Sequence, residues 1–125
     1  MDKETIIKRL ADFGYTYTVD DEFALGFTME KVENHILIST NQSSIPEGLK
    51  NVAVDMVCGE FLLVQKQFGK LEGMDFELLA HNIKLGDMSV QFSNEATPEQ
   101  QFETAARYLI NGHSEDLLAF RKLVW

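Results

Sequence analysis

The sequence predicts a mainly α-helical domain: a small bundle of four to five helices with a β-hairpin or long loop arm. Three observations carry that expectation. Apolar residues recur at helical spacing over two long stretches, Asp20 to Thr40 and Glu47 to Phe68. The two prolines both sit in helix-start patterns led by a hydroxyl residue, Ser44-Ile45-Pro46-Glu47 and Thr97-Pro98-Glu99-Gln100. Period-two alternation is concentrated around Gly86-Asp87.

The first helix is expected from about Lys3 to Phe13. Asp2 supplies its cap, Ile6, Ile7 and Leu10 line one face, and Gly14 stops it by accepting a left-handed conformation. Tyr15 to Val19 alternates weakly and reads as a short extended link. The second helix opens at Asp20 or Asp21 and runs to about Thr40. Leu25, Met29, Val32 and Ile36 form its core stripe, while Phe23, Phe27, Leu37 and Ile38 collect on another side. Two apolar sides on one helix both require cover, from a long loop or from another subunit.

Ser44 is expected to cap the third helix, which ends at Gly69. Leu49, Val52, Ala53, Met56, Leu63 and Val64 give it a broad apolar face, so it should be central. From Lys70 to Asn94 the pattern changes. Ile83-Lys84-Leu85 and Met88-Ser89-Val90-Gln91-Phe92 flank Gly86-Asp87, which predicts a hairpin or strand-containing arm. Thr97 caps a further helix that ends at Asn111-Gly112, and Ser114 caps a last short one. No repeat or linker divides the chain, so residues 1–125 are expected to form one domain.

Composition narrows the function classes. Of 125 residues, 45% are hydrophobic, which argues against global disorder. Eleven Lys and Arg against twenty Asp and Glu give a formal net charge of −9, unsuited to gripping nucleic-acid phosphates. A lone cysteine, Cys58, fits a reducing cytoplasm, and the polar start Met1-Asp2-Lys3-Glu4 does not read as a signal peptide. The most apolar stretch, Val52 to Val64, contains Asp55 and Glu60 and is too short to span a bilayer.

Chemistry-bearing motifs are sparse. His35, His81 and His113 have no second ligand at metal-binding spacing, and neither a GxxxxGK[ST] nor a GxGxxG phosphate loop occurs. Gly86-Asp87, with Ser89 and His81 nearby, is explained as a turn. No catalytic, cofactor or metal residue is therefore assigned, and no cofactor is expected. One charge is out of place. Glu60 projects about 20° from Leu49 on a helical wheel, inside the apolar face, and Arg121 is the first candidate to neutralise it.

The ordered series resembles the head–tail connector (adaptor or head-completion) proteins of long-tailed bacteriophages and their prophages. It comprises the helix after Asp20-Asp21, Ile45-Pro46-Glu47-Gly48-Leu49, and Val52 to Leu62. The segment Ile83 to Val90 and the closing Phe120-Arg121-Lys122-Leu123-Val124-Trp125 complete it. The resemblance implies a non-catalytic virion protein assembled in the bacterial host cytoplasm. It implies a homo-oligomeric ring, a dodecamer in the virion, docked below the portal protein at the head–tail interface. Such a ring continues the DNA channel and receives the next neck or tail-completion protein. DNA would pass without specific binding, which an acidic wall favours, and no membrane is involved.

Under that resemblance, Phe23, Phe27 and Ile38 fall at a subunit interface. Ile83, Lys84, Gly86, Asp87, Ser89 and Gln91 belong to an arm reaching the channel or a neighbour. Arg121 and Trp125 close the bundle or meet the portal. Two other classes account for less of the pattern: a small helical regulator or scaffold with one protein partner, and an enzyme, for which no polar pocket is legible. A tail terminator, the nearest neck-protein rival, would call for more sheet.

Overall fold

The helices begin and end where side chains satisfy their free backbone groups. The computed structural model describes residues 1–86 and 90–123. Helix α1 spans Lys3–Phe13; the Asp2 carboxylate accepts from the Glu4 N–H at 3.0 Å, and Gly14, at φ 104°, closes the other end. Helix α2 spans Glu22–Thr40 after a 3₁₀ turn at Val19–Asp21, and stops at Asn41 with φ 52°. A second 3₁₀ turn, Glu47–Leu49, leads into α3, Lys50–Gln67. Helix α4 is Phe76–Gly86, α5 is Pro98–Asn111, and α6 is Ser114–Ala119.

The mainly helical expectation holds, with two corrections to its local detail and one to the arm. Ser44 does not cap α3. Pro46 is extended at φ −57°, ψ 147°, and Glu47 is the first residue of the 3₁₀ turn rather than the third of a helix, so no capping box closes. Ser114 is the first residue of α6, and His113 holds the cap position. By contrast Thr97 and Gln100 form both halves of their capping box, at 3.2 and 2.9 Å.

No strand occurs among the described residues, so the hairpin is not there. Ile83, Lys84 and Gly86 are the last turn of α4. The physical reason is the longer period: Leu79, Ala80 and Ile83 form one buried stripe at helical spacing. An alternating strand would have put Ile83 and Leu85 on the same face, yet Ile83 is buried and Leu85 is 64% exposed. The Asp75 carboxylate accepts the Leu78 N–H at 3.1 Å and starts this helix. Gln91 is exposed in irregular chain before α5, and the half-buried Phe92 ring lies 5.3 Å from the Lys84 ammonium. Asp87 and Ser89 lie outside the described residues.

Helix α3 is central, as its broad apolar face required, and packs against α1, α2 and α5, while α4 packs on α5 and α1. Helices α3 and α5 approach closely at Gly59. A Cβ there would lie 2.6 Å from the Ala106 carbonyl oxygen, so only glycine lets α3 and α5 come this close. Ala105 and Ala106 supply the matching small surface on α5, and Phe61, Phe102, Leu62 and Leu109 fill the space around them. Lys66 of α3 reaches across to α5, with its ammonium 2.6 Å from Glu103 Oε1 and 3.7 Å from Glu99 Oε2.

Candidate interaction surface

Helix α2 carries two apolar sides, and the bundle uses one. Leu25, Val32 and Ile36 face the core together with Thr28 and Thr40. The two threonines sit in that face because each hydroxyl donates to a carbonyl of its own helix: Thr28 to Ala24 at 2.8 Å, Thr40 to Ile36 at 2.7 Å. Met29 and Leu37 are half-buried. On the opposite side Phe23, Phe27 and Ile38 are 86, 63 and 80% exposed. Successive residues turn by about 100°, so these three fall in one outward arc, near Asn34 and roughly opposite Val32. Phe23 and Phe27 are one turn apart and Ile38 lies three turns further along the same side, with Glu30 and Asn34 exposed between them. The loop cover considered from sequence is not present over them.

Glu60, the misplaced charge, is paired differently from the sequence expectation. Its carboxylate lies 3.5 Å from the Lys31 ammonium of α2, and its side chain keeps 25% of its surface in water. Arg121 is not its partner. It lies in an exposed segment fastened to the C-terminal end of α2, where the Lys122 N–H donates to the Thr40 carbonyl at 2.7 Å. The α2–α3 packing brings Lys31 beside Glu60 first, from the neighbouring helix. Trp125 lies outside the described residues.

Two polar clusters escaped the sequence reading. Asp21, read there as a helix start, is buried, and its carboxylate accepts from the Tyr15 hydroxyl at 2.8 Å, the Thr18 N–H at 3.1 Å and Gln65 Nε2 at 3.0 Å. Gln65 Nε2 also donates to the Tyr15 oxygen at 2.9 Å. Burial, opposed by the Gln65 hydrogen bond and reinforced by the Asp21 carboxylate, pushes the Tyr15 phenol up to about 12. Gln65, a polar residue in the last turn of α3, was the available signal, and it was not used. In the second cluster Asp55 of α3 meets Arg9 Nε of α1 at 3.3 Å and His113 Nε2 at 3.6 Å, while His113 Nδ1 lies 3.3 Å from Asp116. Both clusters join elements distant in sequence, which is a structural role.

Chemical machinery is thin among the described residues. Cys58 is fully enclosed between α3 and α1, and its burial pushes the thiol up to about 12, far from a reactive thiolate. No group of three His, Cys, Asp or Glu side chains there is placed to hold a metal ion. A cleft of about 730 Å³, open to solvent, lies between the start of α1, α2 and the start of α3; Asp2, Glu33, Glu47 and Lys50 line it. Its carboxylates are already engaged in part: Asp2 caps α1, and Glu47 pairs with Lys50 at 2.7 Å. No helix is long and apolar enough among these residues to cross a membrane. Comparison with protein-family models, with curated proteins and with solved structures returned no match.

Proposed function

We propose that this chain is a structural ring subunit of the head–tail connector type, acting by assembly rather than catalysis. The observation that carries the proposal is the outward stripe Phe23, Phe27 and Ile38 on a helix whose opposite side already serves the core. Burying three such side chains contributes roughly 1.5–3 kcal/mol each to a contact, and the remaining contacts of a ring interface would have to offset the rest of an association cost of about 4–15 kcal/mol. In this reading the ring sits under a portal protein, passes the stripe from copy to copy, and presents a face to the next neck protein. The net charge of −9 supports it: an acidic channel wall repels duplex DNA and lets it slide. Residues 90–97, the described stretch before α5, are irregular and would be available to a neighbour or the channel in such a ring.

Electron microscopy of the purified protein at high concentration, with and without a portal ring, tests this. Closed rings with a lumen wide enough for duplex DNA are the expected result. A protein that stays monomeric under both conditions, or that builds open filaments, would overturn it.

A further inference from the structure

The two ends of α2 carry different surfaces. At its C-terminal end, segment 120–123 is fixed in place by its main chain. The Lys122 N–H donates to the Thr40 carbonyl at 2.7 Å, Asn41 Nδ2 donates to the Lys122 carbonyl at 3.0 Å, and Gln42 Nε2 donates to the Phe120 carbonyl at 2.8 Å. The Phe120 ring lies on Gly48, where an added Cβ would collide with it. These bonds use the backbone and leave the side chains outside. Leu118 and Leu123 are 68 and 65% exposed, at the same end as the exposed Ile38. Arg121 and Lys122 beside them are exposed and form no ion pair among the described residues.

The N-terminal end of α2 is apolar with an acidic rim. Val19, in the 3₁₀ turn that leads into the helix, is exposed together with Phe23 and Phe27. Asp20 follows Val19, and Glu30 lies about 20° from Phe23 on a helical wheel. Both carboxylates are exposed and form no ion pair among the described residues. Glu22 shares this end but is engaged by Lys3 at 3.4 Å. Lys70, in the same cleft as Asp20, and Glu115, on α6 before Leu118, trim the imbalance at the two ends without reversing either. Each end is thus an exposed apolar patch, one rimmed by acid and the other by base.

We propose that copies of this chain join end to end along α2: the Val19, Phe23 and Phe27 patch of one copy docks on the Ile38, Leu118 and Leu123 patch of the next, with Asp20 and Glu30 opposite Arg121 and Lys122. The inference rests on the self-association in the ring reading and deepens it by giving the contact a direction. Charge selects the occupant. Two phenylalanine patches face to face would set Asp20 and Glu30 against their own copies, and two Ile38 ends would do the same with Arg121 and Lys122. Unlike ends set apolar against apolar and acid against base. Phe23 and Ile38 stand about 22 Å apart on a helix rising 1.5 Å per residue, so no chain brings its own two patches together. Each copy therefore offers two different surfaces, the head-to-tail arrangement that a ring closes.

Two charge-reversed full chains test this by sedimentation velocity, with circular dichroism to check folding. One carries Arg121→Glu and Lys122→Glu, the other Asp20→Lys and Glu30→Lys. All four side chains are exposed, and Lys122 is fastened through its main chain, which the change keeps. Each chain alone is expected to associate roughly tenfold more weakly or worse, because like charges now face each other. An equimolar mixture of the two, and one chain carrying all four changes, are expected to regain assembly, since every contact again sets acid against base. Weakening with no recovery in either case overturns the proposal. Folded Arg121→Glu, Lys122→Glu protein that forms rings as tightly as the unsubstituted chain also overturns it and leaves the ring reading standing. If the Asp20→Lys, Glu30→Lys chain does not fold, Glu30→Lys alone takes its place. Unsubstituted protein that stays monomeric overturns both readings. Open filaments showing the same loss and recovery uphold the end-to-end contact and overturn the ring.

Discussion

Asp21 keeps 4% of its surface in water and forms no ion pair among the described residues; its carboxylate is held by hydrogen bonds. Its removal leaves the Tyr15 hydroxyl, the Thr18 N–H and one Gln65 N–H without that acceptor, in a region that water enters poorly. Asp21→Ala is expected to cost on the order of 3 kcal/mol of unfolding free energy, measured by urea denaturation. A loss under about 0.5 kcal/mol would mean that the network is dispensable. Two buried ionisable groups, Tyr15 beside Asp21 and Cys58 on α3, set an alkaline limit. Burial raises Cys58 from an ordinary 9.0, and Tyr15 from 10.0, each to about 12 in the folded chain. Above pH 9 the unfolded chain loses these protons first, so it binds fewer than the folded chain and stability falls as pH rises toward 12. The slope is up to about 1.4 kcal/mol per pH unit for each group. Cys58→Ala is expected to flatten the decline between pH 9 and 10; an unchanged slope would place its thiol in water. Lys31 and Glu60 are a different case. With most of Lys31 in solvent, a double-mutant cycle of Lys31→Ala and Glu60→Gln should give a coupling of at most about 1 kcal/mol.

At the scale of elements, the α3–α5 contact governs the bundle. The Gly59 Cα faces the Ala106 carbonyl, and a side chain there would force the helices apart along a line that also holds Leu109 and Ile110. Gly59→Val is expected to lower stability by roughly 2–3 kcal/mol despite its gain in helix propensity, because overpacking outweighs that smaller term. Thermal unfolding followed by circular dichroism checks it, and a raised midpoint would show that α5 can move away freely. The Lys66–Glu103 bridge spans the same pair of helices. The Glu103 carboxylate, beside the Lys66 ammonium, is held below its usual range, and Lys66 above its own. Much of Glu103 is in water, so this contact orients the pair more than it stabilises it. Helix α4 shows why short patterns mislead. Three alternating residues, Ile83 to Leu85, fit a strand, but Leu79, Ala80 and Ile83 together fit only a helix, and eleven residues outweigh three.

For the whole molecule, the question is what covers the outer side of α2. Replacing Phe27 with serine and Ile38 with asparagine removes apolar surface that is mostly exposed among the described residues. The double variant is therefore expected to keep its helicity and melt within a few degrees of the unsubstituted chain. Its self-association, read by sedimentation velocity, should be lost. A variant that unfolds would move those residues into the core and withdraw the interface.

Much was legible from the chain alone, and the parts were local ones. The Asp2 and Thr97 caps, the stops at Gly14 and Gly69, and the stripes of α1, α2, α3 and α5 follow from spacing and side-chain chemistry within a turn or two. That α2 has a second apolar side holding Phe23, Phe27 and Ile38 was also legible, whereas only the structure decided that the chain's described residues leave it uncovered. The tertiary structure alone decided which charge meets Glu60, that Asp21 joins Tyr15 and Gln65, that Phe120 rests on Gly48, and that α4 buries Ile83. Each of these depends on which distant segments become neighbours when α3 is enclosed. Spacing along the chain carries periodicity and caps, whereas partners separated by forty to eighty residues are chosen by how the helices pack.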